Sequence, residues 1–164
     1  TPGRVARAWE HLVSGYHVDP RVVLKTFQDG AEGTDEMVLQ ASIPVYSLCE
    51  HHLLPFFGTA DVAYIPDGKI VGLSKLSRLV EVFSRRIQVQ ERLTVQIARA
   101  LNDNLSPVGV GVVLRCRHFC MEMRGIERCG TVTTTSALLG AMKTDASARA
   151  EFLSFVQRSN GALV

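Results

Sequence analysis

The sequence lacks long hydrophobic runs, a large net charge and internal repeats. No apolar stretch approaches the roughly 18 residues that indicate a transmembrane helix, so we expect no membrane span. The 18 basic and 16 acidic residues give a formal net charge of +2, which is too small to indicate nucleic-acid binding. Local clusters of arginine and lysine in such a nearly neutral chain suit a small anionic ligand better than a polyanion.

The sequence has the length and composition of one ordinary globular domain. The 164 residues are 46% hydrophobic and 21% charged, and they contain no low-complexity segment. Residues 1–15 are charged and helix-periodic, unlike the basic tip and apolar block of an export signal. Four cysteines in such a chain indicate a reducing compartment, so we expect a cytoplasmic protein.

The beginning of the chain is predicted to be helical. One helix is predicted to begin at Pro2 and end near Gly15, and a second short helix is predicted to begin at Asp19-Pro20 and extend through Phe27. We interpret residues 1–35 as a small N-terminal helical cap. Residues 36–164 are interpreted as a single structural unit.

Strands and helices follow one another irregularly in this larger unit, which favours an α+β fold over a parallel sheet. The turn chemistry of residues 66–68 predicts that residues 69–72 return as the hairpin partner of the preceding strand. A sheet of few strands has two open edges, which weakly favours sheets that join between subunits. The predicted elements are strands 37–47, 59–65, 110–121 and 131–137, and helices that begin at Ser74, Val89 and Asp145.

Metal-binding side chains concentrate in two places. The run S-L-C-E-H-H-L-L-P-F, residues 47–56, contains Cys49, His51 and His52, and we expect it to turn the chain over the end of a sheet. His118 and Cys120 lie far downstream, at the end of the predicted strand 110–121. Because alternate side chains of a strand share a face, we expect these two residues to point the same way.

Spacing alone leaves several readings of this set open. Cys49, His52 and Cys120 with either His51 or His118 would form a closed, four-ligand structural zinc site. The same three residues without a fourth ligand would form an open catalytic site, where His51 and His118 could transfer protons. A third reading is an unmetallated, packed cysteine beside a histidine with other partners.

Five sequence runs together resemble the GTP cyclohydrolase I family. They occur in the family's order and spacing, and the resemblance covers nearly the whole chain. The runs are C-E-H-H-L-L-P-F-F-G (49–58), V-A-Y-I-P (62–66), G-L-S-K-L-S-R (72–78), Q-V-Q-E-R-L-T (88–94) and H-F-C-M-x-M-R-G (118–125).

The resemblance implies a tunnelling fold, an α+β arrangement in which helices pack on one face of an antiparallel sheet. Sheets of five subunits would join into a barrel, and two such rings would stack into a homodecamer. Closure of the barrel would remove the open strand edges.

The resemblance also implies the reaction and the role of the metal-site residues. GTP and water would give 7,8-dihydroneopterin triphosphate and formate, the first step of folate and pterin synthesis. Cys49, His52 and Cys120 match the family's zinc ligands, and water on the zinc would attack C8 of guanine. His51 and His118 match its two catalytic histidines; we assign protonation of the purine to His118 and the later steps to His51.

Other residues match the family's contacts to GTP. The carboxylate of Glu91 can accept hydrogen bonds from guanine N1–H and the exocyclic amine together, and Gln90 lies beside it. In the family a basic residue from a neighbouring subunit also reaches the phosphates, and Arg4 and Arg7 both qualify. The residues that match the triphosphate contacts are Ser74, Lys75, Arg78 and Arg124.

Two alternative functions fit these residues less well. Nitrile reductases of queuosine synthesis share the fold, but they use a cysteine nucleophile and a nicotinamide cofactor and would not need the C-E-H-H and H-x-C runs. A non-catalytic, zinc-stabilised assembly module would not need His51, His118 or the phosphate contacts.

Overall fold

Seven α-helices and seven β-strands make up the part of the chain that the computed structural model describes, residues 1–28 and 31–160. The helices are α1 (Pro2–Leu12), α2 (Pro20–Val23), α3 (Leu73–Ser84), α4 (Gln90–Leu105), α5 (Phe119–Glu122), α6 (Ala141–Thr144) and α7 (Ala146–Asn160), with a 3₁₀ helix at Ser14–His17. The strands are β1 (Thr26–Phe27), β2 (Val38–Cys49), β3 (Pro55–Ile65), β4 (Ile70–Val71), β5 (Ile87–Gln88), β6 (Gly109–His118) and β7 (Val132–Gly140). None of the described helices is both long and apolar enough to span a membrane.

The main sheet has the strand order β5-β2-β3-β6-β7 and is antiparallel except where β5 joins β2. The register of β2 against β3 shifts between Gln40 and Ile43, which marks a bulge. β5 pairs with β2 only at Leu48 and Cys49, so one edge of β2 is unpaired around Pro44 within the described chain. Pro44 therefore lies at an edge of the sheet, where a missing N–H does least harm.

Alternating side chains of the central strands contribute to two separate cores. Val62 and Val112 point to one face, where the buried stripes of α3 and α4 cover them. Ala63 and Val113 point to the other face and pack against Phe152 of α7, together with part of α6. The predicted helix layer is thus formed by α3 and α4, and α6 and α7 add a smaller layer on the opposite face.

Arg86 connects the N-terminal residues to α3. Its guanidinium Nε donates to the carbonyl oxygens of Gly15 and Val82, at 3.1 and 3.0 Å. Its charge also lies over the ring of Tyr16, 5.6 Å from the centroid. The region predicted as a helical cap contains α1, the 3₁₀ helix, α2 and β1; residues 29, 30 and 161–164 lie outside the described part.

The two N-terminal helices are shorter than predicted. α1 ends at Leu12, and a 3₁₀ helix rather than more α-helix follows through the region of Gly15. α2 ends at Val23, so Phe27 lies in β1 instead of in the helix. The side chain of Asp19 accepts from the N–H of Arg21 and caps α2, which makes this helix start as predicted.

The predicted hairpin of residues 69–72 is wrong. β4 pairs with β1, because both edges of β3 are already occupied by β2 and β6. The predicted helix cap at Ser74 is also wrong: α3 follows Gly72 as its N-cap, and Ser74 lies in the first turn. The apolar stripe of this helix contains Leu76, Leu79 and Val80, which are fully buried.

Candidate functional site

A tight turn between β2 and β3 carries two of the predicted metal ligands. The backbone N–H groups of His52 and Leu53 donate to the carbonyl oxygen of Cys49 at 3.3 and 2.8 Å, and the Cys49 N–H donates to Leu54. Leu53 adopts a φ of 54°, a left-handed conformation that reverses the chain in few residues. These bonds leave Cys49 Sγ and His52 Nδ1 3.8 Å apart. The prediction that this run turns the chain at the end of a sheet is confirmed.

The third predicted ligand comes from a helical turn rather than from a strand. β6 ends at His118, and α5 begins at Phe119. The prediction that His118 and Cys120 share a strand face is therefore wrong in its geometry. The helical turn instead places Cys120 so that its ligand atom and those of Cys49 and His52 all lie within 4.8 Å of one another.

This three-residue cluster (Cys49, His52 and Cys120) could hold a metal ion. Burial raises the pKa of the Cys120 thiol, and the adjacent Cys49 raises it further. Two sulfurs this close disfavour a second thiolate unless a cation lies between them. Two sulfur donors and one imidazole nitrogen would suit zinc, which usually takes a fourth ligand as well.

A cavity of about 340 Å³ opens beside the cluster. Both histidines that were predicted to be catalytic line it, and neither belongs to the metal cluster. The wall thus combines metal ligands, two further imidazoles and the carboxylate predicted to bind guanine. The lining residues that matter here are Cys49, His51, Gln90, Glu91, His118 and Cys120.

His118 is held by contacts on its face and at its edge. Its ring stacks on Phe56, with the centroids 4.7 Å apart and the planes 9° from parallel. Its Nε2 lies 2.6 Å from Oε1 of Gln90. Burial lowers the pKa of His118, although the charge of Glu91 opposes this effect. The neutral imidazole is therefore favoured in the free site.

The predicted triphosphate contacts on α3 lie away from this cavity. In the described chain they are absent from its lining. Ser77, which lies three positions after Ser74 on α3, accepts a hydrogen bond from Gln40 of β2 at 2.9 Å. Gln40 precedes Cys49 by nine positions in the same strand, a span of roughly 30 Å at about 3.3 Å per residue. The α3 residues in question are Ser74, Lys75 and Arg78.

Arg124 is the predicted phosphate contact that does lie near the cluster. It is exposed, follows α5, and its positive charge counteracts part of the rise in the pKa of Cys120 that burial causes. Arg124 and the α3 residues therefore lie at two separate places of the chain.

Arg92 is a supporting residue that sequence reasoning missed. It forms an ion pair with Glu50, which lies between the two ligands of the turn, and this hydrogen bond lowers the pKa of Glu50. Arg92 Nε also donates to Oε1 of Gln88 at 3.2 Å. The Glu50 N–H donates to the Gln88 carbonyl oxygen at 2.9 Å, so α4 and β5 together support the metal-binding turn.

Comparison with known proteins gives a consistent result. A sequence model of the family described as GTP cyclohydrolase I matches residues 1–157. A protein named GTP cyclohydrolase 1 from Janthinobacterium sp. is 60% identical over 93% of this chain and 77% of its own length. Proteins of the same name from Nitrosospira multiformis and Leptospira biflexa are 59% and 52% identical, each over 96% of this chain and over 82% and 85% of their own lengths.

A solved structure shares the fold at low sequence identity. The crystal structure of the archaeosine synthase QueF-Like in the apo form matches with a TM-score of 0.51 and 19% identity. The match covers 63% of this chain and 93% of that one. At this identity the likeness concerns the fold alone.

Proposed function

The chain belongs to the GTP cyclohydrolase I family, and on that premise we propose that it converts GTP and water into 7,8-dihydroneopterin triphosphate and formate. This hydrolytic reaction is the first step of folate and pterin synthesis. The chain has the tunnelling fold of its family. The observation that carries the proposal is the cavity in which the metal cluster lies beside two histidines outside that cluster.

The metal in this proposal is zinc, held by Cys49, His52 and Cys120. The sulfur and imidazole donors fit this ion better than magnesium or calcium, which prefer oxygen ligands. When bound, zinc supplies Lewis acidity that makes water nucleophilic near neutral pH. The close approach of the two thiols supports this assignment, because a cation removes the repulsion between their thiolates.

The two free histidines are proposed to move protons. C8 of guanine is a poor electrophile until N7 is protonated, so a proton donor is needed beside the ring. His118 is the candidate for that step, because its ring is fixed by stacking and by a hydrogen bond. His51 is exposed on the turn and lines the same cavity, so it is proposed to serve ring opening and the later rearrangement.

Glu91 is proposed to select guanine. It lies in the first turn of α4 and lines the cavity. A carboxylate accepts from guanine N1–H and the exocyclic amine together, a pair of donors that adenine does not present. One residue can therefore distinguish GTP from ATP.

The triphosphate contacts are proposed to come partly from a neighbouring copy of the chain. A span of roughly 30 Å along β2 separates the first turns of α3 from the metal cluster, which is longer than one extended nucleoside triphosphate. Ser74, Lys75 and Arg78 would then complete the cavity of a different subunit. Arg124, beside the cluster, would serve the cavity of its own subunit.

Open strand edges support such an assembly. Within the described chain β7 pairs only with β6, and most of β2 pairs only with β3. Sheets of neighbouring subunits can pair along these edges, which favours the closed barrel and the homodecamer of two stacked pentamers. We also propose that the protein is cytoplasmic.

The proposed function is tested by incubating the purified protein with GTP. We expect release of formate together with a product that becomes fluorescent after oxidation, in proportion to the zinc content. A zinc-loaded sample that releases no formate would refute the reaction.

The role of the metal is tested by removing zinc with a chelator and measuring sedimentation and formate release on the same sample. We expect the assembly to persist while turnover is lost. Dissociation of the assembly would instead identify zinc as a structural ion, as in a non-catalytic module.

A further inference from the structure

We infer that Gln90 is a positioning residue that holds His118 in one orientation and one tautomer, with Nε2 protonated and Nδ1 available to the substrate. This inference rests on the proposed function, since it assigns His118 a step in the reaction. It changes the role of Gln90, which was predicted from the sequence to contact GTP directly. The evidence is the hydrogen-bond network around its amide.

Gln90 is placed where its amide has little access to a ligand. It is the first residue of α4 and is only 2% exposed. Its side chain points toward β6 and β7, where its amide meets the backbone of Leu114 and Thr133 and the hydroxyl of Thr135. A buried amide in this setting acts through its protein partners.

The orientation of this amide follows from what its partners can accept or donate. Nε2 lies 3.0 Å from the carbonyl oxygen of Thr133, 3.0 Å from Oγ1 of Thr135 and 3.4 Å from the carbonyl oxygen of Leu114. Carbonyl oxygens only accept, so the NH₂ group must face them. The reversed amide would put an oxygen against two carbonyl oxygens, which is repulsive. Oε1 therefore faces His118.

This orientation determines the protonation of the imidazole. An amide oxygen only accepts, so at 2.6 Å the Nε2 of His118 must donate. Nδ1 is therefore the nitrogen that takes up a proton and, in the charged ring, delivers it to guanine N7, while Nε2 donates to Gln90 in both states. Stacking on Phe56 fixes the ring plane, and the bond to Gln90 fixes rotation within that plane. A molecule in the cavity thus meets Nδ1 at a defined position.

Hydrogen bonds of Thr94, one turn further along α4, also fix this network. Oγ1 of Thr94 donates to the carbonyl oxygen of Gln90 at 2.8 Å and lies 2.7 Å from Oγ1 of Thr135. Because the Thr94 proton is used on that carbonyl, the Thr135 hydroxyl donates to Thr94 Oγ1 and accepts from Gln90. The hydrogens of the two hydroxyls then have defined partners, and both amide hydrogens point to acceptors on β6 and β7, so the reversed amide is excluded.

The proposed experiment compares Gln90→Met with Gln96→Met. Methionine has a similar length but can neither donate to the carbonyl oxygens nor accept from His118. Gln96 lies on the same helix, and its Oε1 accepts from Gln88 at 2.9 Å, so the control loses one side-chain hydrogen bond without touching His118. We expect Gln90→Met to lower kcat by about 10- to 100-fold with KM for GTP and zinc content unchanged within about twofold. Gln96→Met is expected to keep kcat within about twofold.

The conservative variant Gln90→Glu adds a comparison of kcat values that separates a positioning role from a purely structural one. Gln90→Glu keeps an oxygen beside His118, and burial favours its protonated form, whose hydroxyl can still donate to the carbonyl oxygen of Thr133, so we expect a kcat several times that of Gln90→Met. If Gln90→Met does not fold, Thr135→Val tests the same network by removing one acceptor of the amide. We expect it to lower kcat about two- to fivefold at unchanged KM.

Each outcome has a defined meaning. An unchanged kcat in folded Gln90→Met, or in Thr135→Val if that variant must be used, overturns the positioning role while wild-type turnover upholds the proposed function. A raised KM with unchanged kcat also overturns it and returns Gln90 to a substrate contact. Equal kcat values for Gln90→Glu and Gln90→Met overturn the acceptor role. Failure of the wild-type protein to process GTP overturns the proposed function and this inference with it.

Discussion

Gly58 is the position where one added methyl group tests the close packing of the sheet at the site. A Cβ atom there would lie 1.9 Å from the carbonyl oxygen of Arg115 and 2.8 Å from Cα of Cys116. Both atoms belong to the backbone of β6, so rotation of a side chain cannot relieve the clash. Contacts of a Cβ atom are essentially never shorter than 3.0 Å, so β3 and β6 would separate by about 1 Å or more.

A separation of this size affects both stability and the site. Two lost ladder hydrogen bonds at about 0.5–1.5 kcal/mol each and overpacking of about 1–3 kcal/mol together destabilise the fold by about 2–6 kcal/mol. Phe56 and His118 form a pair in the same ladder, two residues from Gly58. A misplacement of about 1 Å at a reacting group costs about 100-fold in rate. We therefore expect Gly58→Ala to lose both stability and turnover.

The assay is urea unfolding of Gly58→Ala and wild type, with formate release from GTP measured on the same samples. Gly3→Ala is the matched control, because a Cβ there lies 3.6 Å from Nη1 of Arg7, an ordinary contact. We expect the control to change the free energy of unfolding by no more than about 1 kcal/mol. A Gly58→Ala protein with the wild-type unfolding midpoint and kcat would refute the close approach of β3 and β6.

Two further predictions concern ionisable side chains. Burial raises the pKa of Cys116 to about 12. A thiol reagent should therefore label exposed Cys129 in the folded protein and label Cys116 only after unfolding. Labelling of both cysteines at one rate would contradict the burial of Cys116. The hydrogen bond from Arg117 lowers the pKa of Glu122 below its usual value of 4.5, so this pair stabilises the fold above that pH and is lost as the pH falls through the lowered pKa. Glu122→Gln should therefore lower the urea midpoint at neutral pH and match wild type in strong acid, and equal midpoints at neutral pH would show that the pair contributes nothing.

Local patterns predicted those parts of the site that lie close together in the chain. Cys49 and His52 are three residues apart, and a tight turn at the end of β2 is enough to bring them together. Cys120 was identified by residue type and by resemblance, but the predicted geometry was wrong, because the strand ends at His118. Strand alternation had no means of indicating that a helical turn begins at Phe119.

Contacts between distant parts of the chain were not predictable in the same way. The pairing of β4 with β1 depends on the tertiary position of two-residue strands, and a turn sequence at Asp67 carries no information about it. The partners of Gln90 in β7 lie more than forty positions away, and Glu50 and Arg92 are 42 positions apart. Such side chains look like ordinary polar residues until the fold brings their partners to them.

The central claim is that three residues hold zinc while His118 stays free for chemistry. It is tested most directly by measuring zinc content and formate release in wild type, Cys120→Ser and His118→Ala. We expect Cys120→Ser to lose both zinc and turnover. His118→Ala is expected to keep about one zinc ion per chain and to release formate about 10²- to 10⁴-fold more slowly. Loss of zinc from His118→Ala, or wild-type rates in either variant, would contradict the account.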